Sequence, residues 1–210
     1  MFNFHTHTDQ KNAIVNIDSI STHHLSSTHY YSLGNHPWDI ELTVKVIETK
    51  ISNTPQIVAI GECGIDKLKS NKSLPEQIEY LKEQIELSER FKLPLILHIV
   101  NGFNEIIKLK KEINPKQKWV IHGFNKYKQI NSLLDTGFYL SFGEALIQNP
   151  KLQYVLMNCP ISKIVLETDD SVVDIEKMYN FVADLKKIPL TDFVLQIRHN
   201  LNTITNGKLA

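Results

Sequence analysis

Cysteine is nearly missing from this sequence: Cys63 and Cys159 are the only two in 210 residues. Two are too few for a disulfide framework and they form no Cys-x-x-Cys pair, so neither a disulfide-stapled fold nor a thiolate metal site is expected. A reducing cytoplasm is the setting that fits. Excess charge is missing too. Lys and Arg number 23, as do Asp and Glu, giving a formal net charge of zero. That excludes a broad electrostatic footprint for nucleic acid or anionic membrane, so any charge-dependent binding has to be local. No apolar run approaches the ~20 residues of a membrane helix, and the N-terminus shows neither the basic nor the apolar region of a signal peptide. Low-complexity linkers and internal repeats are absent as well. The expectation is a soluble, cytoplasmic protein, monomeric, with no membrane contact and no obligatory protein partner.

What is present is a steady alternation. At 42% hydrophobic the chain can bury one sizeable core, most simply as a single domain over residues 1–210. Short apolar runs that read as strands recur at 2–7, 13–17, 30–33, 57–60, 95–98, 119–122, 138–142 and 164–169. Helical periods fall at 41–52, 75–91, 103–113, 126–135, 152–157, 174–187 and 191–203, with Pro75 suited to a first helical turn. Residues 18–28 carry little helical period and read as a loop. Strands alternating with helices argue for parallel pairing. Eight such units can close into an α/β barrel of the TIM (β/α)8 type, which we prefer to an open doubly wound sheet. The barrel is expected to be distorted, with shortened early crossovers and rim loops, although parallel neighbours normally need a dozen or more connecting residues.

Chemistry-bearing side chains collect at one end of those strands. His5 and His7 lie two apart on strand one and therefore project to the same side. Glu62, His98, His122 and Asp169 each follow a short apolar run, at the C-terminal ends of strands four, five, six and eight. In an eight-stranded α/β barrel those ends share one rim, where active sites are built. Burying several imidazoles and two carboxylates in one mouth without a cation would leave like charges unpaired. Imidazole nitrogen and carboxylate oxygen suit Zn²⁺, Mn²⁺, Fe²⁺ or Mg²⁺. Six ligands are many for one tetrahedral ion and suit two ions sharing a carboxylate.

With those residues in hand, the chain resembles the TatD family of metal-dependent deoxyribonucleases, which fold as α/β barrels. The resemblance is carried, in order, by Asn3-Phe4-His5-Thr6-His7, Gly34-Asn35-His36-Pro37-Trp38, Gly61-Glu62-Cys63-Gly64-Ile65-Asp66, Leu93-Pro94-Leu95-Ile96-Leu97-His98, Val120-Ile121-His122-Gly123-Phe124 and Leu166-Glu167-Thr168-Asp169. It implies two divalent ions, Mg²⁺, Mn²⁺ or Zn²⁺. His5, His7 and Asp169 would hold the first and His98 and His122 the second, with Glu62 bridging. Asp169 would also orient and deprotonate the attacking water. His36 reads as a substrate contact, and Asp66 and Glu167 as supports behind the ligands.

Two departures bear on the substrate. The family usually places an arginine two residues after the strand-five histidine, where this chain has Val100. After Asp169 the chain runs through Asp170-Ser171-Val172 quickly into a helix rather than through a proline and a long loop. Lys67, Lys69 and Lys72 after strand four, with Lys126 and Lys128 after strand six, are candidates to supply phosphate charge in place of the arginine. Of these, Lys67 and Lys126 are the chosen substrate contacts. Lys108, Lys110 and Lys111 read as a solvated helix face, and His23, His24, His29 and His199 as surface residues. The expected activity is cleavage of phosphodiester bonds in DNA, exonuclease-like. A hydrolase of a small phosphoester, amide or ester using the same site, and a non-catalytic metal-binding scaffold, are the alternatives.

Overall fold

The computed structural model describes residues 1–17, 25–40 and 42–209. Glu41, His23, His24 and the first part of the 18–28 stretch lie outside them. Eight strands form one sheet in chain order: β1 (Asn3–Thr6), β2 (Ala13–Ile17), β3 (Tyr30–Leu33), β4 (Ile57–Asp66), β5 (Leu95–Val100), β6 (Trp119–Ile121), β7 (Tyr139–Phe142) and β8 (Ile164–Leu166). Every neighbouring pair is parallel. Between and after them lie α1 (Val44–Asn53), α2 (Leu74–Phe91), α3 (Phe103–Ile113), α4 (Ile130–Asp135), α5 (Ala145–Gln148), α6 (Pro150–Asn158), α7 (Ile175–Lys186) and α8 (Leu190–Ile204).

The sheet is a nearly closed TIM-type barrel. Its seam lies between β1 and the residues that follow β8. Thr6 bridges to Asp169 in parallel, and the Thr168 and Asp169 amides both donate to the His5 carbonyl, at 3.3 and 3.0 Å. Asn3 rivets the seam from the side: its Nδ2 donates to Thr168 Oγ1 at 2.7 Å and its Oδ1 accepts from Thr168 N at 3.0 Å. Five of the strands, β1, β4, β6, β7 and β8, are buried along their whole length, as parallel strands covered on both faces must be.

The first crossover is as short as the sequence suggests, and β1 still pairs with β2 in parallel. Only residues 7–12 connect them. The geometry permits this because β1 is four residues long: the return path is ~10 Å, and six residues can reach ~20 Å. Asn12 enters the left-handed region at φ 56 to make the last turn, a conformation asparagine tolerates.

Strand four differs from expectation. Gly61 and Gly64 look like a turn that ends the strand at residue 60, yet β4 continues to Asp66. Its register against β5 shifts between Ile60 and Cys63. Both glycines have positive φ, and a Cβ on Gly64 would lie 2.0 Å from the His98 carbonyl oxygen. They let the backbone press against β5 through an irregularity, which is what an in-strand glycine often marks. Helix α2 packs against this strand and opens with a capping box in which Ser73 and Glu76 satisfy each other's backbone amides.

Lys110 also departs from expectation. It is 8% exposed rather than solvated, with its ammonium 4.8 Å from the ring centroids of both Trp119 and Phe138. His199 is exposed, as expected, whereas His29 is half-buried. Both cysteines are free and buried. Among the described residues no helix is long and apolar enough to cross a membrane.

Candidate metal centre at the mouth of the barrel

Glu62 is the hub. It is 4% exposed, and five imidazoles surround its carboxylate. Oε1 lies 2.7 Å from His122 Nε2, 2.8 Å from His98 Nδ1 and 3.1 Å from His36 Nε2. Oε2 lies 3.3 Å from His5 Nε2 and 3.5 Å from His7 Nε2. Asp169 Oδ1 completes the group, 3.6 Å from His5 Nε2 and 3.4 Å from His7 Nε2. All six ligand candidates from the sequence therefore meet, with His36 as a seventh. Ligand atoms fall within 4.8 Å of one another in the sets His5–His122–Asp169, His5–His7–Glu62 and His36–Glu62–His98, and also in His7–Asp169–Asp170.

The backbone places these groups tightly. The Glu62 amide donates to Asn16 Oδ1 at 2.8 Å, which ties β4 to β2. Asp66 and Glu167 stand behind the histidines. Asp66 Oδ2 is 3.3 Å from His98 Nε2 while His98 turns Nδ1 to Glu62. Asp66 also accepts from Trp38 Nε1 at 2.5 Å and from the Leu68 and Lys69 amides at 2.7 and 3.0 Å. Glu167 Oε1 accepts from the Gly123 amide and lies 3.7 Å from His122 Nδ1. A carboxylate behind an imidazole fixes its tautomer and raises its basicity toward a metal.

Charge follows from these contacts. Burial opposes protonation of His5, yet its contacts with Asp169 and Glu62 raise its pKa overall. For His7 the contact with Asp169, then that with Glu62, lifts the value to about 10. Burial would raise Glu62, but the charge and hydrogen bond of His122, with His36 and His5, hold it well below the usual carboxylate range. Asp169 is likewise lowered against its burial by His5 and His7. Both carboxylates are thus anionic.

The donor set fits divalent metal. His5 is fully buried, and neither of its ring nitrogens has a hydrogen-bond partner; His122 Nδ1 and Glu167 Oε2 are also buried without one. Orphaned buried polar atoms are costly, and a cation among such nitrogens and oxygens is the group that would satisfy the ring. Exposure also runs as a gradient, from His5 at 0% to His7 at 37% and Asp169 at 40%. Water reaches the centre on the Asp169 side.

The chain as a whole is similar to known proteins. The model of the family described as "TatD related DNase" matches residues 3–206. The chain belongs to the TatD family. An uncharacterized metal-dependent hydrolase from Buchnera aphidicola subsp. Baizongia pistaciae is 32% identical over 83% of this chain and 73% of its own. The Erwinia tasmaniensis protein named 3'-5' ssDNA/RNA exonuclease TatD is 31% identical over 57% of this chain and 48% of its own. The chain thus spans only part of its TatD relatives' length. Among solved structures, the Escherichia coli TatD homologue YjjV superposes with a TM-score of 0.79 at 20% identity, over 92% of this chain and 86% of that one.

Several contributors escaped the sequence reading. Trp38 and Asn16 carried no signal of their own, one closing a motif and the other sitting inside an apolar strand. Gln77 and Gln84 did carry one, because they fall within the apolar stripe of α2 and are buried there. Gln77 Oε1 accepts from the Asp66 amide at 2.8 Å, and Gln84 Oε1 from the Asn35 amide at 2.7 Å. Of the two lysines chosen as substrate contacts, Lys67 is paired with Glu105 at 2.5 Å, while Lys126 is exposed.

Proposed function

We propose that this chain is a metal-dependent phosphodiesterase of the TatD kind, acting on DNA in an exonuclease-like way through a two-ion centre. Glu62, a buried carboxylate within 3.5 Å of five imidazole nitrogens, is the observation that carries the reading. His5, His7 and Asp169 would hold one ion, His98 and His122 the other, and Glu62 would be shared. Divalent ions at such a site supply charge for a phosphoryl oxygen and make water more acidic. Glu62 draws the two ligand sets together and offsets their charge. Asp169, anionic and open to solvent, orients the attacking water and takes its proton. Asp66 keeps His98 in ligating orientation, and Glu167 puts a carboxylate behind His122. His36, half-buried, turns Nε2 to Glu62 and stands where a substrate oxygen would approach. Lys67 and Lys126 flank the mouth as substrate contacts.

Hydrolysis of single-stranded DNA and of bis(p-nitrophenyl) phosphate with Mn²⁺, Mg²⁺ or Zn²⁺ tests the reading, together with elemental analysis of protein purified without added metal. Turnover that Asp169→Asn lowers by about 10²–10⁴-fold is the expected result, since a positioned general base contributes that much. Bound metal with no turnover of any ester would leave only a scaffold.

A further inference from the structure

A second polar cavity opens on the same rim, beside the metal centre. It has a volume of about 470 Å³, and its lining includes Lys67, Asn101, Asn104, Lys126, Tyr127 and Lys128. The topology sets its position. Lys67 follows the end of β4, Asn101 follows β5 and Lys126 lies shortly after β6. Those are the strands that present Glu62, His98 and His122.

The polar groups here are largely uncommitted. Lys67 is spent on Glu105, so it adds no net charge. Lys126 and Lys128 are exposed, and neither makes an ion pair among the described residues. Lys151, outside the lining, lies 5.7 Å from the centroid of the Tyr127 ring. The side-chain amides of Asn101 and Asn104 make no hydrogen bond within the described protein. The volume lies in the range of ligand-binding cavities. Cations, free amides and an aromatic ring in one groove suit a chain of phosphates with unstacked bases. They do not suit an apolar or cationic peptide.

We propose that this groove, through Lys126 and Lys128, holds the phosphates of a single nucleic-acid strand next to the bond being cut. This rests on the phosphodiesterase reading and adds to it the source of phosphate charge that Val100 does not supply. Lysine serves as a point charge where an arginine would have gripped as a fork. Recognition along the groove is therefore electrostatic and tolerant of sequence.

The test is fluorescence anisotropy of a labelled single-stranded oligonucleotide in EDTA, across a NaCl titration, for wild type and the Lys126→Ala/Lys128→Ala double variant. Each lost phosphate contact on a single strand lowers the slope of log affinity against log salt by about 0.7, so two should lower it by about 1.4 and raise Kd about 25-fold at ~0.1 M salt. The control Lys108→Ala/Lys111→Ala, on the body of α3, should leave the slope as it is. An unaltered slope in the first double variant, or an equal fall in the control, overturns the proposal. Failure of wild type to hydrolyse any diester would instead strike the phosphodiesterase reading, while the anisotropy would still decide the groove.

Discussion

Replacing Glu62 by glutamine is the sharpest probe of the centre. Glutamine keeps the volume of the side chain and one oxygen able to accept from the surrounding imidazoles, so the variant should fold. It removes the single charge on which both ligand sets converge. The consequence can be worked through metal-linked stability. At a hundredfold excess over Kd, each ion bound only by the native state adds about 2.7 kcal/mol. A domain of about 150–250 residues shifts its Tm by roughly 2–4 °C per kcal/mol. One ion should thus raise the melting temperature of wild type by about 5–11 °C relative to EDTA, and two ions by about twice that. In Glu62→Gln both ions lose their common anionic ligand, and the shift at the same metal concentration should fall below that expected for one ion. Differential scanning fluorimetry against added Mn²⁺ or Zn²⁺, with calorimetric titration for stoichiometry, gives the readout. An exposed control, Glu112→Gln, should melt as wild type does. If Glu62→Gln keeps the full metal-induced shift and stoichiometry, Glu62 does not bridge and the two-ion centre is wrong.

Asp66→Asn keeps the oxygen that accepts from the Leu68 and Lys69 amides and removes the charge behind His98. Metal affinity should drop about 10–100-fold, the usual effect of losing such a support, and unchanged affinity in titration calorimetry would refute the role. Lys110 predicts a pH effect remote from the centre. Burial, then the charges of Lys118 and Lys163, lowers its pKa to about 8. The unfolded chain holds this proton up to the ordinary lysine range, so between about pH 8 and 10 it binds more protons than the native state and stability rises with pH. The contribution is about 2 kcal/mol from pH 7 to 10. Lys110→Met should remove that rise in urea denaturation, and an identical pH profile in the variant would refute the burial argument.

The strands and helices were legible because their periods were clean. Helix α3 falls on the expected residues, and seven of the eight strands differ from expectation by no more than a few terminal residues. The six ligand candidates could be found because barrel topology converts "just after an apolar run" into a common place in space. Strand four was misread in extent because glycine signals a turn and an in-strand irregularity alike. Only contact with the His98 backbone, distant in sequence, distinguishes the two. Lys110 was misplaced for a similar reason. Its helix period puts it among charged neighbours, and the rings that cover it come from β6 and the residue preceding β7. Asn3, Asn16 and Trp38 act through partners on other strands, so no local pattern could name them.

The centre and the rim obey different constraints. His98 is fixed by the strand ladder, and Glu62 and His122 by backbone hydrogen bonds beside it, from the Glu62 amide to Asn16 Oδ1 and from the His122 amide to the Leu97 carbonyl. Moving any of them by one residue turns the side chain to the opposite face and removes it from the Glu62 contacts. Lys126, Lys128 and Asn101 sit in connections where backbone position is free to vary. Phosphate charge acts over several ångströms and needs no ladder to aim it. A barrel with Val100 after its strand-five histidine can therefore take cationic character from a neighbouring connection without disturbing the ring of imidazoles around Glu62. On this account metal affinity and substrate affinity are separable properties of the molecule, set by strand ends in one case and by loop cations in the other.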